Sequence, residues 1–394
     1  MTSRLRIVVT GLIAQYPLGG VTWDYVQYAA GLARLGHDVF YIEDTGQWPY
    51  NPSEGGLSKG CAFNVSYLAS VMERFGLRDR WAYRFPWQSQ WFGLSDAARR
   101  DVLESADLLI NVSGTLGRPE EYRGVERLAY IDSDPVFTQV KVARGQHDLR
   151  TMIDGHDVQF SFGERLGPDV PDTGHTWLPT RQPVLLDEWR TDGLAPRDAF
   201  TTVMNWTSYN EVSYAGRSYG QKDVEFRRFI DLPEAVAPAT LEVALSDGRT
   251  RHAPRELLRH RGWRVVEPDD VCGDVESYRS YIRSSLAEWS VAKNGYAGGS
   301  GWFSCRSACY LAAGRPVVVQ DTGFSSVLPS DAGIVAFSTF DEAVAAIADV
   351  RARYDMHAKA AREIAETYFD SAKVLTSLVE RAMHGAPVVQ GAVR

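Results

Sequence analysis

The chain has 394 residues, 44% of them hydrophobic and 23% charged, with a formal net charge of −8. That is a globular balance over a length that suits two or three domains of about 100–200 residues each. An acidic chain without a basic block argues against nucleic acid as a main partner, because neutralising phosphates takes clustered Lys and Arg; a local basic pocket for one diphosphate stays open.

The first fourteen residues hold two Arg and an apolar run over 7–14. Thr10 and Gly11 interrupt that run and no small-x-small site follows, so it reads as a buried strand rather than a secretory leader. Residues 5–10 form the strand. A loop with Pro17, Gly19 and Gly20 follows, and Thr22 can cap a helix with apolar positions Tyr25, Tyr28, Ala29, Leu32 and Leu35. Gly36 ends that helix and 38–42 is the next strand, which completes one βαβ unit. Helices are expected over 67–75 and 95–105, and strands over 107–112, 127–131 and 158–162.

Residues 165–198 hold Pro168, Pro171, Pro179, Pro183 and Pro196, the best linker candidate, with a last strand over 176–178. Alternation then restarts, with strands over 200–204, 241–245, 263–266, 289–292 and 316–320. Helices fit over 254–260, 275–286 and 304–313, and 340–383 is strongly helical. Two α/β domains in series follow: 1–180, a linker 181–198, and 199–365. The segment 366–394 supplies a final helix and tail. Such domains leave a cleft between the C-terminal edges of two doubly wound sheets, where ligands bind.

No apolar stretch approaches the ~20 residues that cross a bilayer. The four cysteines, Cys61, Cys272, Cys305 and Cys309, are scattered and complete no zinc pattern, so they read as buried thiols in a reducing cytoplasm. Most of the eleven Trp read as packing. Trp48, Trp87, Trp91 and Trp206 lie in turn-rich segments, where an aromatic face can stack on a sugar ring.

Four places carry chemistry. Gly19-Gly20 in the first βα loop lets a backbone approach a ligand at a helix start; a tight turn would explain them equally. The spacing from Gly11 does not make a dinucleotide fingerprint. Arg217 and Lys222 straddle Gly220 in the run Ala215 to Lys222 and can clamp a diphosphate, or lie solvated on the surface. The third run, Gly301 to Val319, is a glycine loop with Gly298 and Gly299, a Ser304 cap, a short helix ended by Gly314, and a buried strand. Its helix start near Ser304, Arg306 and Ser307 is an anion site. The fourth is Asp132-Ser133-Asp134 at a strand end. There a carboxylate can take a proton from a hydroxyl or stabilise an oxocarbenium-like centre, or simply satisfy a turn. Glu43 and Asp44 are weaker candidates of the same kind.

The third run, with Ala312-Ala313-Gly314-Arg315-Pro316-Val317-Val318, resembles the donor-site signature of GT-B glycosyltransferases, above all the family-four-like branch. The Gly216-Arg217 to Lys222 run resembles that branch's diphosphate clamp, and Gly19-Gly20 has its counterpart there. The resemblance implies a GT-B fold of two Rossmann-like domains. The first would bind the acceptor and the second the nucleotide-sugar, and the last helix, from about Glu366, would cross back to the first domain. It also implies a donor site of Gly19, Gly20, Arg217, Lys222, Gly301, Ser304, Arg306 and Ser307. Asp132 or Asp134 stands near the family's active-site His-Asp pair. Where the family carries a Glu that binds the donor ribose, this chain has Cys309.

The expected function is transfer of a sugar from a nucleotide-sugar, UDP-sugar included, to an acceptor hydroxyl on a small natural product or glycan. No cofactor and no metal is expected. Asp132 and Asp134 also spell the D-x-D that holds a metal in GT-A enzymes, but two cations and a helix start in a second Rossmann-like domain make a metal unnecessary. A non-hydrolysing nucleotide-sugar 2-epimerase and a non-catalytic sugar- or nucleotide-binding protein are the alternatives. The sequence carries no signal for oligomeric state.

Overall fold

The computed structural model describes residues 4–248, 251–297 and 299–385. Gly298 of the expected glycine loop and the tail 386–394 lie outside the described residues.

Two parallel sheets carry the chain. The first has strands β1 (Arg6–Thr10), β2 (Asp38–Glu43), β3 (Trp81–Phe85), β4 (Gln90–Gly93), β5 (Leu108–Val112), β6 (Arg127–Asp132), β7 (Val158–Ser161) and β8 (Trp177–Pro179). Their order is β8-β7-β6-β5-β1-β2-β3-β4, with only the β3–β4 pair antiparallel. The second has β9 (Arg197–Thr207), β10 (Leu241–Gly248), β11 (Arg264–Val266), β12 (Ser285–Ser290), β13 (Val317–Gln320) and β14 (Ile334–Phe337), ordered β11-β10-β9-β12-β13-β14 and parallel throughout. The central strands are almost wholly buried and β-branched, as sheets covered on both faces require.

The helices that matter here are α1 (Gly19–Arg34), α2 (Phe137–Ala143), α3 (Lys222–Phe226), α4 (Val275–Ser284), α5 (Cys305–Ala312) and α6 (Ser371–His384). Helix α1 is buried on most of its surface because it lies between the two halves. The Trp23 indole N–H donates to the Val275 carbonyl at 3.1 Å. The Gln27 amide faces the Cys305 and Cys309 sulfurs at 3.8 and 3.9 Å. Its oxygen accepts from Leu185 N at 3.0 Å. All four cysteines are buried and unpaired. Helix α6 returns to the first sheet, where Arg127 of β6 donates to the Ala382 carbonyl at 3.2 Å; just before it, the Val184 N–H donates to the Phe369 carbonyl at 2.7 Å. Among the described residues no helix is long and apolar enough to cross a membrane.

Several elements differ from the sequence expectation. The strand expected at 289–292 is Ser285–Ser290, so the preceding helix ends at Ser284. Glu288 hid it: a carboxylate inside an apolar run looks like an exposed position, yet it is fully buried because Arg306 pairs with it at 2.7 Å. The β3–β4 hairpin and β14 were not expected at all. Arg217 lies on a further short hairpin, Val212–Tyr214 with Arg217–Tyr219.

Candidate functional site

The C-terminal ends of β9 and β12 face that of β6, where Asp134 meets Tyr209 and Lys293, and the candidate residues gather there or fail to. Helix α5 begins at Cys305 after Ser304, whose side chain caps nothing. Its first N–H groups therefore have no partner within the helix and point their partial positive charge outward. A small pocket opens onto that end, lined by Ser304, Arg306, Ser307, Trp302, Gln320 and Thr322 among others. Gly301, at φ +69°, shapes the preceding loop; a Cβ there would come within 2.6 Å of the Arg165 backbone nitrogen across the cleft.

Cations converge on this helix start. Arg306 donates to Glu288 at 2.7 Å and to the Val203 carbonyl at 2.8 Å. Burial works against its charge, and Glu288 outweighs that. Lys222, the first residue of α3, has no hydrogen-bond or ion-pair partner among the described residues. Burial, and then repulsion from Arg306 and Lys293, push its ammonium well below the ordinary lysine value, with Glu288 pulling the other way. A desolvated lysine among two other cations is a site that gains from an anion. Glu288 keeps one buried oxygen without a partner.

Arg217 stands apart from this cluster. It is exposed on its hairpin and pairs with Asp169 at 2.7 Å, so the expected pairing of Arg217 with Lys222 is not formed; Lys222 has Arg306 as its neighbour instead. Gly19 and Gly20 are explained by packing. A Cβ on Gly19 would lie 2.1 Å from the Asp274 carbonyl oxygen at the start of α4, and one on Gly20 3.2 Å from the Tyr278 ring. They let α1 meet α4 across the two halves, which departs from the expected contact with the donor.

Asp132 is fully buried. It accepts from Thr138 Oγ1 at 2.7 Å, Gln139 Nε2 at 2.9 Å, Ser161 Oγ at 3.0 Å and the Asp134 N–H at 3.1 Å. Burial raises its pKa while Gln139 and Thr138 counteract that. With both oxygens occupied and no exposed surface, it is built to hold the turn into α2, and the expectation that it handles an acceptor proton is corrected accordingly. Asp132→Asn turns an acceptor into a donor facing Gln139 and Ser161. It is expected to cost about 1–3 kcal/mol of stability, read as a lower midpoint in urea denaturation. The turn is also strained: Val136, β-branched, sits at φ +71°.

Asp134 reaches across the cleft. Lys293 Nζ donates to it at 2.8 Å, and the Tyr209 and Tyr296 hydroxyls donate as well. Burial opposes its ionisation, but Lys293 and the two hydroxyls hold its carboxyl below the ordinary value. Phe137 packs edge-on against Tyr209 and Tyr296, and it fits only because residue 295 is glycine, where a Cβ would meet the ring at 2.5 Å. Sequence reading missed Lys293, although a lysine directly after a buried strand and before Asn294-Gly295 marks a strand-end cation.

No protein-family model and no curated protein matches the sequence. Solved structures do match over nearly the whole chain. AviGT4, a glycosyltransferase involved in avilamycin A biosynthesis, aligns with a TM-score of 0.50 at 16% identity, over 97% of this chain and 99% of that one. HepE of Anabaena in complex with UDP-glucose aligns with a TM-score of 0.54 at 10% identity, over 96% and 99%. An alpha-glucosyltransferase in complex with UDP and a 13-mer DNA aligns with a TM-score of 0.58 at 10% identity, also over 96% and 99%. The chain therefore has the GT-B fold. The last comparison corrects one expectation: a protein of this fold is found on DNA, so a net charge of −8 does not rule nucleic acid out as a partner.

Proposed function

We propose that this chain of GT-B fold is a glycosyltransferase that takes its sugar from a UDP-sugar. The observation that carries the reading is the unpaired Lys222 beside Arg306 at the open start of α5, on the sheet edge that faces the other half. HepE and the alpha-glucosyltransferase hold UDP or UDP-glucose on the same fold, which supports uracil as the base.

In this reading the diphosphate lies on the α5 N–H groups with Lys222 and Arg306 around it. As the bond from the anomeric carbon to the phosphate oxygen breaks, negative charge grows on the diphosphate, and fixed cations and dipoles stabilise it more than they stabilise the intact donor. Glu288 fixes the Arg306 guanidinium in place. The acceptor hydroxyl approaches from the first half. The contacts of Asp134 with Lys293 and of Arg165 with the 299–301 loop hold the halves together and keep water from the reacting centre. Cys309 is buried against Gln27, so the ribose is held without the family's Glu.

Incubation with UDP-glucose, alone and with hydroxylated acceptors that include glycans, natural products and duplex DNA, tests the reading. Transfer or slow hydrolysis with release of UDP is expected. Conversion of the donor to its 2-epimer without release would establish the epimerase instead.

A further inference from the structure

Lys293 follows directly on the wall of the pocket at the start of α5. Its predecessor, Ala292, lines that pocket and donates its N–H at 3.1 Å to Gln320 Oε1, from a second lining residue. Its successor, Asn294, is bonded to α3 and to the turn that leads into it. Asn294 Nδ2 donates to Glu225 Oε1 at 2.7 Å, and Gln320 Nε2 donates to the other Glu225 oxygen at 2.6 Å. The Asn294 N–H donates to the Gln221 carbonyl at 3.3 Å, and the Gly295 N–H to the Gly220 carbonyl at 3.2 Å. The segment that carries Lys293 is therefore fixed between the pocket wall and the residues just before Lys222. The two lysines belong to segments bonded to each other at the adjacent positions, Gln221 and Asn294, in keeping with the repulsion between them.

The Lys293 side chain is turned toward the first half. Its ammonium donates to Asp134 Oδ1 at 2.8 Å and to the Tyr209 hydroxyl at 3.1 Å. It lies 4.6 Å from the centre of the Tyr209 ring and 5.2 Å from those of Phe137 and Tyr296, and aromatic faces attract a cation. An ammonium has three N–H groups. Two are used here, and among the described residues no other protein acceptor is bonded to this nitrogen. The side chain is 16% exposed, so the third N–H is left to a ligand or to water. A lysine needed only to latch the halves gains nothing from lying beside an unpartnered lysine, because like charges repel. The placement gains once an anion joins both.

We propose that Lys293 is a third ligand of the donor diphosphate and that, by holding Asp134 at the same time, it ties donor binding to closure of the cleft. The proposal rests on the donor-site reading. One N–H of the ammonium stays on the Asp134 carboxylate and another goes to a phosphate oxygen. The cation is thus shared between the first half and the group that leaves with the donor. It supplies the second lysine charge that Arg217, drawn away to Asp169, does not. Lys293 is oriented by Asp134 only while the halves meet, so the closed cleft binds the diphosphate more tightly than the open one. By linkage, a bound diphosphate favours the closed cleft by the same factor. Donor binding then prepares the water-free cleft in which transfer takes place.

The test measures UDP binding by calorimetry to the full chain, to Asp134→Asn and to the double variant Asp134→Asn with Lys293→Met. Removing both charges together avoids a stranded buried carboxylate, and comparing the two variants isolates Lys293 from its ion pair. The double variant is expected to bind UDP about 10–100-fold more weakly than Asp134→Asn, the worth of one charge-assisted hydrogen bond. Equal affinity in the two variants overturns the proposal and leaves Lys293 a latch alone. A second measurement needs no variant: hydrogen exchange of the wild type with and without UDP. Exchange in 134–138, on the first half, is expected to slow when UDP binds. Bound UDP that leaves 134–138 unchanged overturns the link to closure. A wild type that binds no UDP sinks the donor-site reading itself, so the two failures are told apart.

Discussion

Lys222→Met is expected to lower the rate of sugar transfer by about 10²–10³, the usual cost of one electrostatic donor at a developing charge, while leaving the protein as stable as before or more so. The two halves of that result belong together. Lys222 makes no hydrogen bond or ion pair among the described residues and is repelled by Arg306 and Lys293. A lysine whose folded pKa lies below its unfolded value of 10.5 reduces stability below that pH, because the native state holds the proton less tightly than the unfolded chain does. Removing it relieves that stress, so the melting temperature should not fall. A residue that costs stability and supplies activity is the expected signature of a functional site. The same reasoning gives a second readout. An anion beside Lys222 restores its proton, so UDP binding should take up protons at pH values above the depressed pKa. Calorimetry in buffers of different ionisation enthalpy measures this, and the uptake should vanish in Lys222→Met.

Asp134→Ala is the change expected to harm stability most, by about 2–5 kcal/mol, the cost of truncating one partner of a buried charge pair at an interface. It strands Lys293 and takes the acceptor from two tyrosine hydroxyls at once. The effect should be seen as a lower denaturation midpoint at neutral pH and should shrink in acid. The Asp134 pKa is depressed, so its stabilisation is present above the ordinary carboxylate value of 3.8 and fades as pH falls through the lower folded value. Because Asp134 and Lys293 belong to different halves, the variant should also loosen the cleft. Hydrogen exchange in 293–297 and 134–138 should speed up together.

Much of this architecture was legible in the sequence because sheets covered on both faces leave continuous β-branched runs and glycine-ended helices, as at 5–10 and 304–320. The start of α5 was legible for the same reason: a Ser cap after a glycine loop needs no tertiary knowledge. What stayed hidden depends on partners distant in sequence. The strand at 285–290 was misplaced because what buries Glu288 is Arg306, eighteen residues further on. Arg217 looked like a clamp because proximity to Lys222 in sequence was taken for proximity in space, whereas a two-stranded hairpin carries it out to Asp169. Asp132 looked catalytic because a strand-end aspartate is exposed by default; Thr138, Gln139 and Ser161 enclose this one. Gly19 and Gly20 were read for a ligand, and the close approach they permit is to another helix.

The claim on which the rest depends is that the α5 start with Lys222 and Arg306 binds a nucleotide diphosphate. Thermal unfolding of the wild type and Lys222→Met with UDP, TDP, GDP and ADP, each with and without EDTA, tests it directly. A ligand bound by the native state alone adds about 2.7 kcal/mol at a concentration of 100 Kd. The account predicts a rise with UDP that EDTA leaves intact and that Lys222→Met removes. No rise with any of the four nucleotides, or an equal rise in Lys222→Met, would contradict it.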